Sequence, residues 1–255
     1  MNLDLNQQHL NEILLNKESW DKKPIVQKIY QSFFERVSAE LSPLSLTSNR
    51  KIVEIGSGMG MLKSRIPDLI TTDLFPNPWI DLACTAYSLP FEEDSVSDIL
   101  LIDVFHHLER PFAFLKEASR VLLPGGRVIL LEPFISLTSF PVFEFLHPEP
   151  VGKALEISLI DEPPKDPAYY AAQGNATHIF FNKSADLSHC PLSILKTMSW
   201  SCWNYLLSGG FSKSAFYPKY FYHWISVIDK FLSHFPTVFA GRCLVVLEKP
   251  QNCNT

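Results

Sequence analysis

The sequence predicts a doubly wound α/β fold, on three observations. A β-branched run, Ile52-Val53-Glu54-Ile55, breaks into three alternating glycines, Gly56, Gly58 and Gly60. Runs of this kind read as strands buried on both faces. A strand ending in glycines lets backbone N–H groups approach a ligand, because no Cβ stands in the way. Apolar strands and amphipathic helices then alternate as far as Pro133. Finally, 255 residues, 46% hydrophobic and 19% charged, can bury a full core in one decorated domain or two small ones.

Residues 1–49 read as a helical cap. In Pro24–Leu41, Ile25, Ile29, Phe33, Val37 and Leu41 recur every four residues, with Val26, Tyr30 and Phe34 beside them. That is a wide apolar stripe on one helix, and Pro24 suits its first turn. After the first strand a short helix runs through Arg65 and ends at Pro67. Leu69–Phe75 is the second strand, with Asp73 at its tip. A carboxylate there can accept both hydroxyls of a ribose, the alternative being a turn or capping aspartate. Ile80–Cys84 is a short third strand, Phe91–Asp94 a turn, and Ser97–Val104 a buried fourth strand that ends in F-H-H-L. Pro111–Leu122 fits a helix with Phe112, Leu115, Ala118 and Leu122 on one face. Leu123–Gly126 is a tight turn and Arg127–Pro133 the fifth strand. Phe134–Cys190 is rich in proline and aromatics and too long for a plain connection. It leaves the carboxyl edge of the sheet, where open α/β folds bind ligands, and reads as a substrate lid. Ser193–Leu207 reads as a late helix stopped by Gly209-Gly210, Phe211–Pro218 as strand six, Ile225–Phe235 as an amphipathic helix and Arg242–Lys249 as the last strand. The organisation expected is one domain, 1–255: a helical cap (1–49), a cofactor core (50–133), the lid (134–190) and the rest of the sheet (191–255).

Composition narrows the partners. A net charge of -5 gives no electrostatic footprint for nucleic acid or anionic membrane. The five cysteines are scattered, odd in number and form no C-x-x-C, which points to reduced thiols in a cytoplasm. No signal peptide is visible in the polar first residues, and the most apolar region, Val128–Leu146, is interrupted by Glu132, Pro133, Pro141 and Glu144. Nothing in the sequence is long and apolar enough to span a bilayer.

The glycines alone are ambiguous, because a dinucleotide site has G-x-G-x-x-G and Met61 stands where its third glycine would be. With Glu54, however, the loop reads E-x-G-x-G-x-G, which resembles motif I of the class I S-adenosylmethionine-dependent methyltransferases. T-A-Y-S-L-P-F (85–91) resembles their D-A-x-x-L-P-F, and the run from D-V-F-H-H-L to P-G-G-R-V-I-L-L-E-P resembles the second half of their core. The likeness covers about residues 50–133, more weakly the C-terminus, and is greatest to members acting on small molecules. It implies a Rossmann-like seven-stranded, mostly parallel sheet with an antiparallel last strand, and S-adenosylmethionine as cofactor. The implied cofactor contacts are Glu54, Gly56, Ser57, Gly58 and Gly60 in and before the loop, Asp73 and Leu74 at the end of the second strand, Thr85, Ala86 and Tyr87 near the adenine, and Asp103 and Val104 at the end of the fourth strand. Thr85 replaces the aspartate that often holds the adenine amino group, so Thr85 or the backbone of Ala86 and Tyr87 would do that work.

Methyl transfer from a sulfonium asks the protein for position and electrostatics. A hydroxyl acceptor also needs a base, most often histidine. The candidates are His106 and His107 after strand four and His147 and His178 in the lid, with His106 and His178 favoured. His147, Glu149, Tyr170 and Asn175, together with Asp166 and Tyr169, offer directional groups to an acceptor. No metal site is expected, since His106 and His107 are adjacent and no helical carboxylate–histidine spacing occurs. The reading is methyl transfer to a small polar acceptor, favouring a hydroxyl of a sugar-like metabolite. The alternatives are a non-catalytic S-adenosylmethionine-binding or scaffold protein and a nicotinamide oxidoreductase.

Overall fold

The structure, a computed structural model, describes residues 3–46, 50–147, 149–152, 164, 170–182, 187–188 and 190–251. Its centre is a seven-stranded sheet: β1 (Ile52–Ile55), β2 (Ile70–Asp73), β3 (Leu82–Ala83), β4 (Val96–Ile102), β5 (Leu122–Pro133), β6 (Ser193–Ser201) and β7 (Ala240–Glu248). The spatial order is β3-β2-β1-β4-β5-β7-β6. β1 through β5 pair in parallel, while β7 runs antiparallel to both β5 and β6. The mostly parallel sheet with its antiparallel last strand is the fold class expected. The order reverses at β1–β4, so ligands are expected at the carboxyl ends of these two strands.

Helices cover both faces. α1 (Leu3–Lys22) leads into α2 (Pro24–Ser38), which starts at the proline and buries Val26, Ile29, Tyr30, Phe33, Phe34 and Val37. These pack with Ile52, Leu100, Ile129 and Leu131 on one face of the sheet. On the other face α3 (Pro111–Val121) buries Phe112, Phe114, Leu115 and Ala118 against Val53, Ile99, Leu101 and Val128. β1, β4 and β7 are buried almost throughout, which is why each reads as a continuous apolar run. L-P-G-G lies within β5, beside a register shift between β4 and β5, and is not a separate turn. The expected helix after β1 is a single 3₁₀ turn, Met61–Ser64.

Two C-terminal expectations are corrected. Ser193–Leu207 is not a helix: Ser193–Ser201 is edge strand β6, and only Trp203–Leu206 (α5) is helical. A register shift between Ile194 and Lys196 breaks the period-2 alternation, and the outer half of the strand is exposed, so the β signal is absent locally. The ladder with β7 supplies what the pattern lacks. Phe211–Pro218 is not strand six but a folded-back loop. Gly209 and Gly210 both take left-handed φ, +73° and +51°, and the amides of Lys213 and Phe216 donate to Gly209 and Leu207. The chain continues through α6 (Tyr222–Leu232) and α7 (Pro236–Phe239) into β7. α4 (Phe140–Phe145) follows β5.

Candidate active site

The glycine loop folds by three left-handed residues, Gly56, Gly58 and Gly60, at φ +66°, +54° and +64°. Ser57 fixes it to β2: its amide donates to the Thr72 carbonyl (2.8 Å), and its hydroxyl donates to the Glu54 carbonyl and accepts from the Thr72 amide (3.1 Å each). A Cβ on Gly56 would stand 2.5 Å from the Val104 side chain, and one on Gly60 2.8 Å from the Trp79 carbonyl. A Cβ on Gly58 would meet no protein atom within 4 Å. Gly56 and Gly60 are therefore needed for packing, whereas Gly58 borders open space. Glu54 lies beneath, 5% exposed, with one carboxylate oxygen lacking any hydrogen-bond partner. Burial pushes its pKa up to about 8.

Asp73 closes β2 beside this loop. It accepts from the amides of Gly58 (2.9 Å) and Leu74 (2.7 Å), and His9 of α1 approaches its other face at 3.2 Å. That contact raises the His9 pKa. α1 thus lies over the carboxylate, a relation the sequence does not show.

A cavity of about 380 Å³ opens from the glycine loop toward the segment after β5. Of the residues singled out from the sequence, Glu54, Gly56, Ser57, Gly58, Asp103, His106, His107, His147 and Glu149 line it. The others do not. Gly60 and Val104 support the loop. Asp73 and Leu74 lie at the end covered by α1. The Thr85 hydroxyl accepts the Tyr87 amide (3.3 Å), the Tyr87 hydroxyl accepts the Arg110 amide (3.2 Å), and Ala86 is in the core. Tyr170 gives its carbonyl to His107, and its hydroxyl bonds Asn175, which is 2% exposed. His178 sits on a π-helical turn, Thr177–Phe181, against Gly174. Asp166 and Tyr169 lie outside the described residues.

Two polar clusters form the far wall. In the first, His106 is 3% exposed and its Nδ1 is 2.6 Å from the wholly buried Glu132. Glu132 also accepts the amides of Val104 (2.9 Å) and Phe105 (2.7 Å). Burial opposes a charge on His106, but Glu132 and, next, Glu149 outweigh it and push its pKa up to about 10. Burial, followed by the neighbouring His106, lowers that of His107. Burial also lowers that of His147. In the second cluster Asp103, strained at φ +57°, makes a two-pronged pair with Arg242 of β7 and accepts from the Tyr30 hydroxyl (3.0 Å). Arg242 is 2% exposed and lies over the rings of Phe33 and Tyr205.

Sequence reasoning missed His9, Tyr30, Glu132, Gln173 and Arg242. Two signals were available: Glu132 is a carboxylate ending the apolar run V-I-L-L, and Arg242 is a cation opening R-C-L-V-V-L. Charges in such strands are costly to bury unless paired.

Residues 54–130 match the sequence model of the methyltransferase domain family. Uncharacterized methyltransferases of Mycobacterium bovis and Mycobacterium tuberculosis are each 28% identical over 96 residues, covering 32% of this chain and 39% of theirs. The chain therefore matches only about two fifths of the length of these curated relatives. Among solved structures, the [4+2]-cyclase SpnF is similar with a TM-score of 0.53 at 13% identity, over 87% of this chain and 81% of that one. The complex of the Haloferax volcanii Trm112 methyltransferase activator with a proposed methyltransferase gives 0.53 at 14% identity, over 96% and 97%. At such identities the likeness is one of fold, and a fold alone does not fix a reaction. The E-x-G-x-G-x-G loop, the sheet order and the matched core are together similar to those of the class I S-adenosylmethionine-dependent methyltransferases.

Proposed function

We propose that this chain transfers a methyl group from S-adenosylmethionine to a small polar acceptor, favouring a hydroxyl of a sugar-like metabolite. The observation that carries the reading is that one cavity joins the glycine loop to a wall of histidines and carboxylates. The loop suits the cofactor on its own terms. Gly58 borders open space, and Glu54 lines the cavity beneath the loop with one buried oxygen that has no partner. In this reading Gly56, Ser57 and Gly58 hold the cofactor's amino-acid end, and Asp73 takes the ribose hydroxyls once α1 lifts His9 away. Thr85, Ala86 and Tyr87 border the adenine. When bound, the cofactor supplies an electrophilic methyl for in-line displacement.

The segment 134–190 acts as the substrate lid. α4 and the residues after it contribute Val142, Phe143, Leu146, His147 and Glu149 to the cavity. The apolar members exclude water and the polar ones orient the acceptor. Of the two histidines favoured from the sequence, His106 borders the cavity with its Nδ1 held by Glu132 and its Nε2 facing Glu149, and His178 stands outside the lining. His147, neutral at physiological pH, is the better proton acceptor there. Reduced cysteines fit a cytoplasmic setting. Among the described residues Cys84, Cys190, Cys202 and Cys243 are free, and no helix is long and apolar enough to cross a membrane.

The test is calorimetry with S-adenosylmethionine and NADH, followed by an acceptor screen read by mass spectrometry for a methyl gain. Binding of S-adenosylmethionine with turnover of a hydroxylated acceptor supports the reading. Binding without turnover across oxygen, nitrogen and carbon acceptors favours a binding protein, and tighter binding of NADH overturns the cofactor assignment.

A further inference from the structure

The wall opposite the glycine loop holds more than hydrogen bonds require. The backbone of Tyr170–Gly174 is strapped both to the F-H-H turn and to Pro150–Val151. The amide of Ala172 donates to the His106 carbonyl (2.9 Å), that of Gln173 to Pro150 (3.1 Å) and that of Gly174 to Val151 (2.9 Å). This strap brings Glu149 onto the two histidines. Each imidazole is anchored at Nδ1, His106 by the Glu132 carboxylate at 2.6 Å and His107 by the Tyr170 carbonyl at 2.9 Å. With Nδ1 held, each ring turns Nε2 toward Glu149, at 3.4 Å for His106 and 3.7 Å for His107. The candidate ligand atoms of His106, His107 and Glu149 all lie within 4.8 Å of one another. Ligand atoms about 2.0–2.1 Å from a tetrahedral ion stand about 3.3 Å apart, so these spacings suit one small cation at their centre. Gln173 adds a further sign. Its amide nitrogen contacts both Glu149 and the His106 Nε2 (3.3 Å), while its buried oxygen has no hydrogen-bond partner. Exchanging the two ends of that amide, a choice set by the surrounding network, would put its oxygen in the same cluster.

We propose that His106, His107 and Glu149 form a binding site for one divalent first-row transition ion of the Zn²⁺ or Co²⁺ type, with Gln173 beside it and one position open to the cavity. Two imidazoles and one carboxylate with an open position are the donor set of catalytic zinc sites. Nδ1 anchoring by a carboxylate and a carbonyl is the outer support such ligands have. Borderline nitrogen and oxygen donors select this class of ion over Ca²⁺ or Mg²⁺. The site goes beyond methyl transfer and needs no cofactor to form. Its use rests on the proposed function: an acceptor hydroxyl in the open position would release its proton to water more readily and present an alkoxide to the methyl donor.

The test uses tag-free, chelator-treated full-length protein without cofactor, titrated with Co²⁺ and followed by visible absorption, then challenged with Zn²⁺. The expected result is one saturable Co²⁺ per chain, with a d–d band lost on adding Zn²⁺. His107→Ala and Glu149→Ala, at the less buried ligands, should each weaken binding at least tenfold, while His234→Ala, at an exposed histidine outside the cavity lining, should not change it. Absence of saturable binding in the wild type, or unchanged affinity in either ligand variant when circular dichroism shows it folded, overturns the site. If both variants fail to fold, His107→Gln and Glu149→Gln replace them under the same criteria. S-adenosylhomocysteine calorimetry on the same samples separates the two ideas. Cofactor binding without metal refutes the metal site alone, and metal without cofactor refutes the methyltransferase reading alone.

Discussion

Asp73 is where the cofactor reading can be tested most sharply, because the structure shows three partners for its carboxylate. Replacing it with alanine removes the group proposed to accept the ribose hydroxyls. A hydrogen bond to a charged group contributes about 1.5–3 kcal/mol, which alone corresponds to roughly 10–150-fold in Kd. Two features modify this. Asp73 also accepts the amide of Gly58, so its loss unties the loop that must hold the ligand and adds to the effect. In the opposite direction, the wild type must first give up the His9 contact, whose partner is about a third exposed. Screened pairs of this kind contribute about 0.2–1 kcal/mol. The net expectation for Asp73→Ala is S-adenosylmethionine binding weaker by about 10–100-fold. His9→Ala should do the reverse and tighten binding by about two- to fivefold. The sign with pH follows from the raised His9 pKa. His9 is charged and holds Asp73 at low pH and releases it as pH rises through that value. Wild-type affinity should therefore increase from pH 6 to pH 8, and this slope should be shallower in His9→Ala. Titration calorimetry at the two pH values measures all of these. A folded Asp73→Ala protein that binds within twofold of wild type, or a His9→Ala protein that binds more weakly at both pH values, would refute the placement of the ribose under α1.

Three further outcomes are expected. Gly58→Val should stay folded, because no protein atom lies within 4 Å of the new Cβ, yet lose cofactor affinity; φ of +54° adds about 1–2 kcal/mol of strain, visible as a small fall in Tm. Normal binding by that variant would place the ligand elsewhere. Glu54 has a folded pKa of about 8 against an unfolded 4.5, so the native state holds a proton that the unfolded chain releases and stability falls between those pH values. Glu54→Gln should then raise Tm at pH 8 and leave it nearly unchanged at pH 4.5, and identical pH slopes in the two proteins would contradict this. Arg242→Met removes the buried cation and leaves the partly exposed Asp103 unpaired, and should cost about 1–3 kcal/mol in urea unfolding. A loss below about 1 kcal/mol would show that the pair contributes little.

Much of the cofactor half could be read from the chain itself. β1, the glycine loop, Asp73 and the alternation through β5 depend on local rules. β-branched runs pair, left-handed φ selects glycine, and α2 must bury a stripe that repeats every four residues. Those constraints act within a few neighbours and so leave a periodic trace. The acceptor half obeys other rules. Arg242 reaches Asp103 across 139 positions, Glu149 meets His106 only because the backbone at 170–174 is strapped to the F-H-H turn, and His9 reaches Asp73 from the first helix. Such contacts depend on how the sheet edge, the cap and the segment after β5 are folded together, and no spacing along the chain encodes them. β6 is the same lesson in the backbone: an exposed edge strand with a register shift has no alternation to read, and its pairing is decided by the free side of β7. The local pattern of residues determined where a nucleotide-type loop would stand. Which side chains face it across the cavity was decided by tertiary packing, because buried charges settle only where the folded chain gives them partners.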